Sequence, residues 1–388
     1  MLSISSCPSA ITTTSATRLL LLKPPVLAFP FRPKFPINDN STFLLRAEMS
    51  SSSSLSSSMV YADVPSPLPA LPEKRIVVGC GAVGLDFLAT VATYPKPDDK
   101  IRSTSLKVQG GGNTGNALTS AARLGLTPRV ISKVANDGQG RSVLEELEAD
   151  GVDTSYMVVA EEGNSPFTYV IVDNETYSGI LPVQATRMQI PILIDAERKR
   201  EGLDDLLNHA DYVVCSAKFP QAWTTAPSVP SALVSMMLRL PHLKFVIVTL
   251  GGDGCIMLER SSNEEPESKE IDVDSLLESL KLKIDSTKAI PTCLSSKSKM
   301  RLSAGGIGTV SGKLLVGTAE KIPPSELIDT TGAGDAFIGV ILYAICAGMP
   351  PETMLPFAAQ VAAAGCRSLG ARTGLPRRTD PRLAPFLH

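Results

Sequence analysis

Histidine and tryptophan are scarce in this sequence, with 3 histidines and 1 tryptophan among 388 residues. So few imidazoles leave little from which to build a histidine-based catalytic triad or a histidine-rich zinc site. An excess of either charge is also missing, because 37 basic residues face 39 acidic ones and the formal net charge is -2. The electrostatic reason to expect nucleic acid or an anionic membrane is therefore absent, and we expect small molecules as partners.

Paired cysteines and long apolar runs are lacking as well. The 7 cysteines are scattered without a CxxC pair, which favours reduced thiols in an intracellular compartment. The early apolar run at residues 19–22 is ended by Lys23 and two prolines, so it is too short to span a membrane. With 43% hydrophobic residues, the chain is long enough for one large α/β domain or two ordinary ones.

Residues 1–60 differ in composition from the rest of the chain. They are rich in serine, threonine and proline, and they contain no acidic residue before Asp39. This composition predicts a transit peptide, and the density of serine favours the chloroplast. The alternatives are a disordered tail that is not imported, or a cytoplasmic protein that starts at Met49 or Met59.

A polar turn with two glycines leads into an apolar helix at residues 329–337, which read DTTGAGDAF. The free N–H groups of a first helical turn attract anions, and glycine lets a phosphate oxygen approach the backbone. Asp335 is the first acidic residue inside this helix. A simple core helix, capped by Thr331 or Asp335 and ended by Gly348, explains the same residues. This stretch alone does not decide between the two.

The first glycine cluster follows a strand predicted at residues 75–79, which we expect to be buried and parallel. Gly79, Gly81 and Gly84 match a dinucleotide-binding fingerprint. That fingerprint requires a helix directly after the turn, whereas FLATVATYPKPDDK and a polar strand follow here. We therefore favour a sugar-facing role for Asp86 over a dinucleotide site.

The second glycine cluster, GGGNTGN at residues 110–116, precedes a helix predicted at 117–124 and closed by Gly125. Its glycines allow a substrate to lie close to the backbone, and Asn116 has a donor and an acceptor for a hydroxyl group. An ordinary glycine-rich turn is the alternative interpretation.

Further strands are predicted downstream. The alternating segments 156–160 and 167–173 favour a small hairpin outside the main sheet, whereas three apolar segments predict a parallel sheet. These three segments are residues 192–195, 212–215 and 245–250. The last ends in GGDG at 251–254, a candidate for nucleotide phosphate because parallel strands place ligands at their carboxyl ends. Residues 261–299 are polar, and we predict an inserted surface loop with one amphipathic segment.

GGGNTGNALTSAARLG at 110–125 and DTTGAGDAF at 329–337 together resemble the two signatures of the pfkB-type, ribokinase-like carbohydrate kinases. The resemblance covers residues 74–385 and suggests a plant plastid-type member. It implies an α/β fold with a mostly parallel central sheet, flanking helices and a small β lid near 87–109 and 156–173. A surface insertion is expected near 261–312. The implied reaction is phosphorylation of a small sugar or nucleoside by ATP and Mg²⁺, with a homodimer formed through the lid.

The resemblance also assigns roles to residues. It makes Asp335 the base that accepts the proton of the acceptor hydroxyl, and it makes the N–H groups of residues 332–334 the anion hole. The anion-hole residues are Gly332, Ala333 and Gly334. The sugar-side residues are Asp86, Gly111, Gly112 and Asn116. The nucleotide-side residues are Gly251, Gly254, Thr330, Gln360 and Gly374. The backbone near Asp329 and Thr331 resembles the family's site for a monovalent cation such as K⁺.

Three departures from the family pattern leave an alternative open. The family's Asn-x-x-Glu after the strand at 212–215 is replaced by CSAKF, so Lys218 and its neighbours include no acid. Gln360 stands where the family has an asparagine. The 20 residues between Asp173 and Ile194 cannot hold the family's further strand and helix, which need about 30. A shortened splice form or gene-model error explains this gap. The alternative function is a weak or inactive kinase-like protein that binds nucleotide or regulates a partner.

Overall fold

The structure is a computed structural model, and it describes residues 70–73, 75–91, 100, 102–168, 180–261, 269–297 and 300–387. The leader expected at 1–60 and the end of the second lid segment, 169–173, lie outside these residues. Within the described part of the chain, no helix is long and apolar enough to cross a membrane.

The strands and helices alternate along most of the chain. The strands are β1 (Ile76–Cys80), β2 (Gly84–Thr90), β3 (Ser105–Gly111), β4 (Thr127–Ala135), β5 (Asp153–Ala160), β6 (Phe167–Thr168), β7 (Leu193–Ala196), β8 (Tyr212–Ser216), β9 (Phe245–Thr249), β10 (Cys255–Arg260), β11 (Glu270–Asp272), β12 (Cys293–Ser295), β13 (Met300–Ala304) and β14 (Gly308–Gly317). The helices are α1 (Asn113–Arg123), α2 (Gly138–Ala149), α3 (Ile180–Arg187), α4 (Leu203–Leu207), α5 (Phe219–Thr224), α6 (Val229–Arg239), α7 (Val273–Lys281), α8 (Ala333–Ala347) and α9 (Pro351–Gly365). Short 3₁₀ turns cover Gly251–Asp253 and Pro381–Phe386.

Three sheets are formed by these strands. The largest has 8 strands in the order β11-β13-β14-β10-β9-β8-β7, with β12 paired to β14. In it β7, β8 and β9 are parallel, which confirms the parallel sheet predicted from the three apolar segments. A second sheet, β1-β4-β5, is also parallel, and a small sheet in the order β3-β2-β6 forms the lid. The α/β class with a small β lid is confirmed.

Helices α1 and α8, which carry the two glycine signatures, pack directly against each other. A Cβ on Gly339 would lie 2.5 Å from the backbone oxygen of Ala117, so only glycine permits this approach. Ser120 Oγ of α1 donates a hydrogen bond to the backbone oxygen of Ala336 in α8 at 3.1 Å, which links the two helices at the same place. The start of each helix is thereby held next to the other, although more than two hundred positions separate them.

The hairpin predicted from residues 156–173 is wrong in its first half. Residues 156–160 belong to β5, which pairs in parallel with β4, for example Ile131 with Tyr156. Only Phe167–Thr168 joins the lid, in parallel with β2. The alternation misled because β5 is an edge strand with one open face, on which Tyr156 and Val158 are 53% and 56% exposed.

The surface insertion predicted over 261–312 is also wrong. Its strands β11, β12, β13 and the start of β14 extend the large sheet. Leu302 in β13 and Val273 in α7 are 0% exposed, so the segment contributes to the core. The predicted amphipathic segment forms α7. A short strand that buries only one face has a polar residue at every second position, so its sequence resembles that of a loop.

Strand β1 is parallel as predicted, but the expectation that it is buried is wrong. Ile76 and Val78 are 59% and 60% exposed. Among the described strands, β1 pairs only with β4 and β7 only with β8, so the parallel sheet β1-β4-β5 and the 8-stranded sheet are separate. The connection before β7 includes α3 and no described strand. This arrangement agrees with the short connection noted in the sequence, since a strand there would be needed to bridge the sheets.

Candidate active site

The turn at residues 329–334 places a helix N-terminus beside open space. Gly332 is the N-cap of α8 with φ 74°, and a Cβ there would lie 2.4 Å from the Cβ of Ala371. Only glycine meets both conditions. A Cβ on Gly334 would meet no described heavy atom within 4 Å. This end of α8 therefore faces open space, as expected for an anion hole, although the N–H of Ala333 already donates to the Thr330 backbone oxygen at 3.2 Å.

Asp335 lies in the first turn of α8 and is 8% exposed. Its Oδ2 accepts a hydrogen bond from Asn116 Nδ2 at 2.9 Å. Burial raises the pKa of Asp335 to about 7, the Asn116 hydrogen bond and the Arg372 charge oppose this rise, and the carboxylates of Glu197 and Asp86 add to it. A carboxyl group with a pKa near neutrality is well matched to proton transfer at physiological pH.

Asp86 approaches the same region from the lid. It lies in β2 opposite Gln109 of the adjacent strand β3, it is 7% exposed, and its side chain lies next to Gly111. A Cβ on Gly111 would lie 2.2 Å from the Asp86 carboxyl carbon. Gly112, with φ 83°, would bring a Cβ to 2.7 Å from the backbone oxygen of Ala82. Burial raises the pKa of Asp86, the charge of Arg372 lowers it, and Asp329 raises it further.

Asn116 connects the two sides. It is 3% exposed, and its Oδ1 accepts a hydrogen bond from Arg372 Nε at 2.8 Å while its Nδ2 donates to Asp335. Both ends of the amide therefore have protein partners. Its expected contact with a substrate hydroxyl stays a prediction. The structure does bring the sugar-side residues together with Asp335, around the adjoining starts of α1 and α8.

The glycine loop after β9 forms a tight turn into the antiparallel strand β10. The backbone N–H of Leu250 donates to the Gly254 oxygen at 2.7 Å, and Gly254 has φ 85°. A Cβ on Gly254 would lie 2.0 Å from the backbone oxygen of Gly317. Around Gly251 and Gly252 a Cβ would meet no described heavy atom within 4 Å, so this loop presents bare backbone to open space.

Gln360 lies in α9, and Gly374 lies on the loop that follows this helix. Gln360 is 6% exposed and its Nε2 donates to Glu320 Oε2 at 2.6 Å, while Arg367 Nη2 donates to the other oxygen of Glu320 at 2.6 Å. A Cβ on Gly374 would lie 2.7 Å from the backbone oxygen of Gly365 at the end of α9. No described hydrogen bond links either residue to the Gly251 loop, so their shared role toward a nucleotide stays a prediction.

The side chain of Asp329 stabilises the turn itself. Its Oδ1 accepts hydrogen bonds from the N–H and hydroxyl of Thr331 at 2.9 and 2.7 Å, and its Oδ2 accepts one from the Gly370 N–H at 2.7 Å. The backbone oxygen of Thr330 accepts from Ala333 N at 3.2 Å. Among the described residues no group of three or more His, Cys, Asp or Glu is placed to hold a metal ion. A monovalent cation near this turn would depend on backbone carbonyl oxygens.

Comparison with known proteins agrees with this geometry. The model of the pfkB family of carbohydrate kinases matches residues 77–188 and 302–378. These ranges include both glycine signatures and Asp335. The chain belongs to this family. It is therefore a carbohydrate kinase by family, and residues 189–301 form an internal stretch between the two matched ranges.

Individual relatives of this carbohydrate kinase align along most of its length. Ribokinase from Bacillus subtilis (strain 168) is 26% identical over 325 residues, covering 79% of this chain and 98% of that protein. Ketohexokinase from Mus musculus is 23% identical over 303 residues, covering 76% and 97%. The structure of Arabidopsis thaliana ribokinase complexed with ribose and ATP has a TM-score of 0.55 and 18% identity, covering 82% of this chain and 99% of that one. This last likeness confirms the ribokinase-like fold.

Two acids that no sequence motif predicted act electrostatically with Asp335. Asp195 at the end of β7 has its pKa raised to about 7, chiefly by burial and then by the charges of Glu197 and Asp335, while a hydrogen bond with Asn113 lowers it. Glu197 follows two positions later and contributes to the raised pKa of Asp335. Both stand at the carboxyl end of a strand that the sequence had predicted, which is where α/β folds place ligands, so that rule was sufficient to find them.

Arg372 was missed for a different reason. No motif marks it, and its partners Asn116 and Gly111 lie 256 and 261 positions away in the chain.

At the end of β8 the family's acid is absent, as the sequence indicated. There Ser216 Oγ donates to the backbone oxygen of Glu197 at 2.6 Å, and Lys218 is the N-cap of α5. The acids near the site come from the neighbouring strand β7 instead.

Proposed function

We propose that this carbohydrate kinase transfers the γ-phosphoryl group of ATP to a hydroxyl group of a small sugar or nucleoside. The observation that carries the proposal is the position of Asp335, a buried carboxyl directly behind an accessible helix N-terminus and hydrogen-bonded to the sugar-side residue Asn116. A base and an anion site in one turn are the two parts that phosphoryl transfer needs most.

In the proposed reaction the acceptor hydroxyl oxygen attacks the γ-phosphorus. Asp335 takes the hydroxyl proton, the bond between the γ-phosphorus and the β–γ bridging oxygen breaks, and ADP leaves with that electron pair. The N–H groups of Gly332 and Gly334 stabilise the charge on the transferring oxygens, and the N–H group of Ala333 joins them once it gives up its hydrogen bond to the Thr330 oxygen. Asp86 holds the acceptor from the lid side, where Gly111 leaves space for its carboxylate.

ATP and Mg²⁺ are the proposed co-reactants. Mg²⁺ commonly takes one or two protein carboxylates together with substrate phosphates and water, so a protein cage of three acids is not required. The carboxylates of Asp195 and Glu197 fit such a partial site, because the charge of each interacts with that of Asp335. The open backbone of the turn at Gly251 and Gly252 is the proposed support for the nucleotide phosphates, with Gln360 and Gly374 toward the base. A monovalent cation is proposed near Asp329 and Thr331.

The acceptor class follows from the relatives. A ribokinase and a ketohexokinase are among them, and the Arabidopsis neighbour is complexed with ribose and ATP. A suitable panel therefore contains aldopentoses, ketohexoses and nucleosides, each offered with MgATP to the full chain. Production of ADP and of a phosphorylated acceptor is the expected result.

The panel is repeated with Asp335→Asn, which keeps the size of the side chain and an acceptor for Asn116. We expect turnover to fall by about 10²- to 10⁴-fold, the usual contribution of a positioned base. Asp205→Asn, an exposed aspartate on α4, is the matched control and should keep full activity. Unchanged turnover in Asp335→Asn would remove Asp335 from its role.

A kinase-like protein without useful catalysis is the second candidate. It is favoured by CSAKF at the end of β8 and by the separation of the sheet that contains β1 from the sheet that contains β7. Its distinguishing result is saturable ATP binding in a calorimeter with no phosphate transfer to any acceptor of the panel. Transfer to even one acceptor at an ordinary rate contradicts it.

We further propose a homodimer through the lid and import into the chloroplast. The lid strand β3 exposes Leu106 and Val108 by 60% and 44% on one face, an apolar surface suited to a second copy. Light scattering should give the mass of a dimer, and Leu106→Lys should reduce it to the mass of a monomer.

Import into the chloroplast is tested with fusions. A fluorescent protein fused after residues 1–60 should enter the plastid, whereas a fusion starting at Met59 should stay in the cytoplasm.

A further inference from the structure

Arg372 is a buried cation with no part in the proposed reaction steps. It lies on the loop after α9 and is 4% exposed. Burial lowers the pKa of its guanidinium, whereas the carboxylates of Glu146, Asp150 and Asp86 raise it. Because arginine remains protonated in proteins, a fixed positive charge lies among the acids of the site. A buried charge of this kind is costly, so its contacts are informative.

The guanidinium joins three segments. Its Nε donates to Asn116 Oδ1 at 2.8 Å, and its Nη2 donates to the backbone oxygen of Gly111 at 2.8 Å. Asn116 in turn donates from Nδ2 to Asp335 Oδ2 at 2.9 Å. Arg372, Asn116 and Asp335 thus form one continuous row of hydrogen bonds that ends on the proposed base.

The chemistry of these groups determines which of them donates and which accepts in each hydrogen bond of the row. Arginine carries only donors, and an ionised carboxylate only accepts. With its oxygen held by Arg372, the Asn116 amide must turn its NH₂ toward Asp335. The reversed amide would set donor against donor at Arg372 and acceptor against acceptor at Asp335.

We propose that Arg372 is a positioning residue, which fixes the Asn116 amide and through it holds the Asp335 carboxylate for proton transfer. The inference rests on the proposed function, because it gives Asp335 the role of base. It also assigns a purpose to two glycines of the GGGNTGN signature. A Cβ on Gly110 would lie 2.2 Å from Arg372 Nη1, and a Cβ on Gly115 would lie 2.4 Å from Nη2. These two glycines make room for the guanidinium.

The loop that carries Arg372 is itself anchored. Arg123 Nη1 donates to the backbone oxygen of Arg372 at 2.7 Å, and Arg123 Nη2 pairs with Asp150 at 2.8 Å. Next to Arg372, Thr373 Oγ1 donates to Gln109 Oε1 of the lid strand β3 at 2.9 Å. Arg372 is therefore held from α1 and from the lid, as a residue that orients others needs to be.

The kinetic test compares Arg372→Met with Arg372→Lys in the full chain, using an acceptor identified by the panel. Arg372→Met removes the charge and every donor, so we expect kcat to fall by about 10- to 100-fold while the KM for ATP is retained. The acid limb of the pH profile should move to higher pH, since the Arg372 charge lowers the pKa of Asp335. Arg372→Lys keeps the charge, so its acid limb should stay near that of the wild type. Arg301→Met, on an exposed ion pair, is the matched control.

A merely structural arginine would lower stability without these changes. If kcat per folded molecule and the acid limb are both unchanged in Arg372→Met, the proposal is overturned. Combining Arg372→Met with Asn116→Ala should add nothing to the loss caused by Asn116→Ala, because both act through the same row of hydrogen bonds. Independent, multiplying losses would also overturn it.

A second measurement separates this inference from the proposed function. The carboxyl signal of Asp335 in ¹³C-aspartate-labelled protein, assigned with Asp335→Asn, should titrate at higher pH in Arg372→Met, or in Arg372→Gln where the Met variant does not fold. This readout requires no turnover. If the wild type phosphorylates no acceptor, only the proposed function is contradicted. If the pKa of Asp335 is the same in the Arg372 variant as in the wild type, the role of Arg372 is contradicted.

Discussion

The Asn116 side chain donates a hydrogen bond to the Asp335 carboxylate at 2.9 Å, although 219 positions separate the two residues in the chain. Each stands in the first turns of a helix that follows a glycine-containing turn, and the two helices contact each other closely at Gly339. The two sequence signatures are therefore halves of one site. Neither helix alone places a carboxyl group beside a sugar-side residue.

The pH dependence of activity should follow the ionisation of Asp335. Its pKa is raised to about 7, chiefly by burial, and only the ionised form accepts a proton. We expect kcat/KM to rise from pH 6 to pH 8 and then to level off. Initial rates at fixed excess MgATP across this range measure the midpoint. An activity that is already maximal at pH 5.5 would contradict a raised pKa of the base.

Stability should depend on pH in the opposite direction. Because the pKa of Asp335 rises from 3.8 to about 7 on folding, the folded protein binds this proton more tightly than the unfolded chain. The resulting stabilisation is complete below about pH 4 and is lost as pH rises through 7. Asp335→Asn, which is never ionised, should therefore raise Tm at pH 8 and have less effect at pH 5. Calorimetry at the two pH values tests this. An Asp335→Asn variant that lowers Tm equally at both would show that burial of the ionised carboxyl costs nothing.

Gly111→Ala should disturb the acceptor side selectively. The added Cβ would lie 2.2 Å from the Asp86 carboxyl carbon, so the carboxylate must move away. We expect the KM for the acceptor to rise by about 10-fold or more, with the KM for ATP retained. Gly305→Ala, where a Cβ meets no described heavy atom within 4 Å, is the control. An unchanged acceptor KM would argue against a substrate role for Asp86.

Local sequence patterns were sufficient to predict the parallel core and the two signatures. Strands β8 and β9 are nearly continuous apolar runs, as burial on both faces requires, and β7 is apolar apart from Asp195. The low rank given to the dinucleotide fingerprint agrees with the structure, since β2 and not a helix follows the glycines. The start of α8 at Ala333 also agreed with the predicted turn. These features depend on neighbours in sequence.

The remaining features depend on pairing that no local pattern encodes. Strand β5 was taken for part of a hairpin because its alternation is the same on the edge of a parallel sheet. Strands β11 to β13 bury one face each, so their composition resembled a surface loop. Arg372 belongs to the site only through Asn116, 256 positions away. Predicting these residues requires the register of the sheets and the packing of α1 on α8.

Two glycines of one turn should respond differently to alanine. In Gly254→Ala the Cβ would lie 2.0 Å from the Gly317 backbone oxygen at φ 85°, so we expect a loss of about 1–3 kcal/mol in unfolding free energy and a raised KM for ATP. In Gly252→Ala the Cβ meets no described heavy atom within 4 Å, so stability should be retained. Chemical denaturation and ATP titration of both variants measure the difference. Equal stability of the two would contradict the tight approach of β10 and β14.

The open edge of β1 should make the protein prone to association. Exposed apolar side chains on an unpaired strand edge promote aggregation, and Ile76 and Val78 are 59% and 60% exposed. The double variant Ile76→Thr/Val78→Thr should aggregate less on heating while its unfolding free energy stays within about 0.5 kcal/mol. Val77→Thr is the matched control, because Val77 packs against two core clusters and a buried hydroxyl there costs about 1–3 kcal/mol. Light scattering and denaturant titration are the measurements. A large stability loss in the double variant would contradict the exposure of Ile76 and Val78.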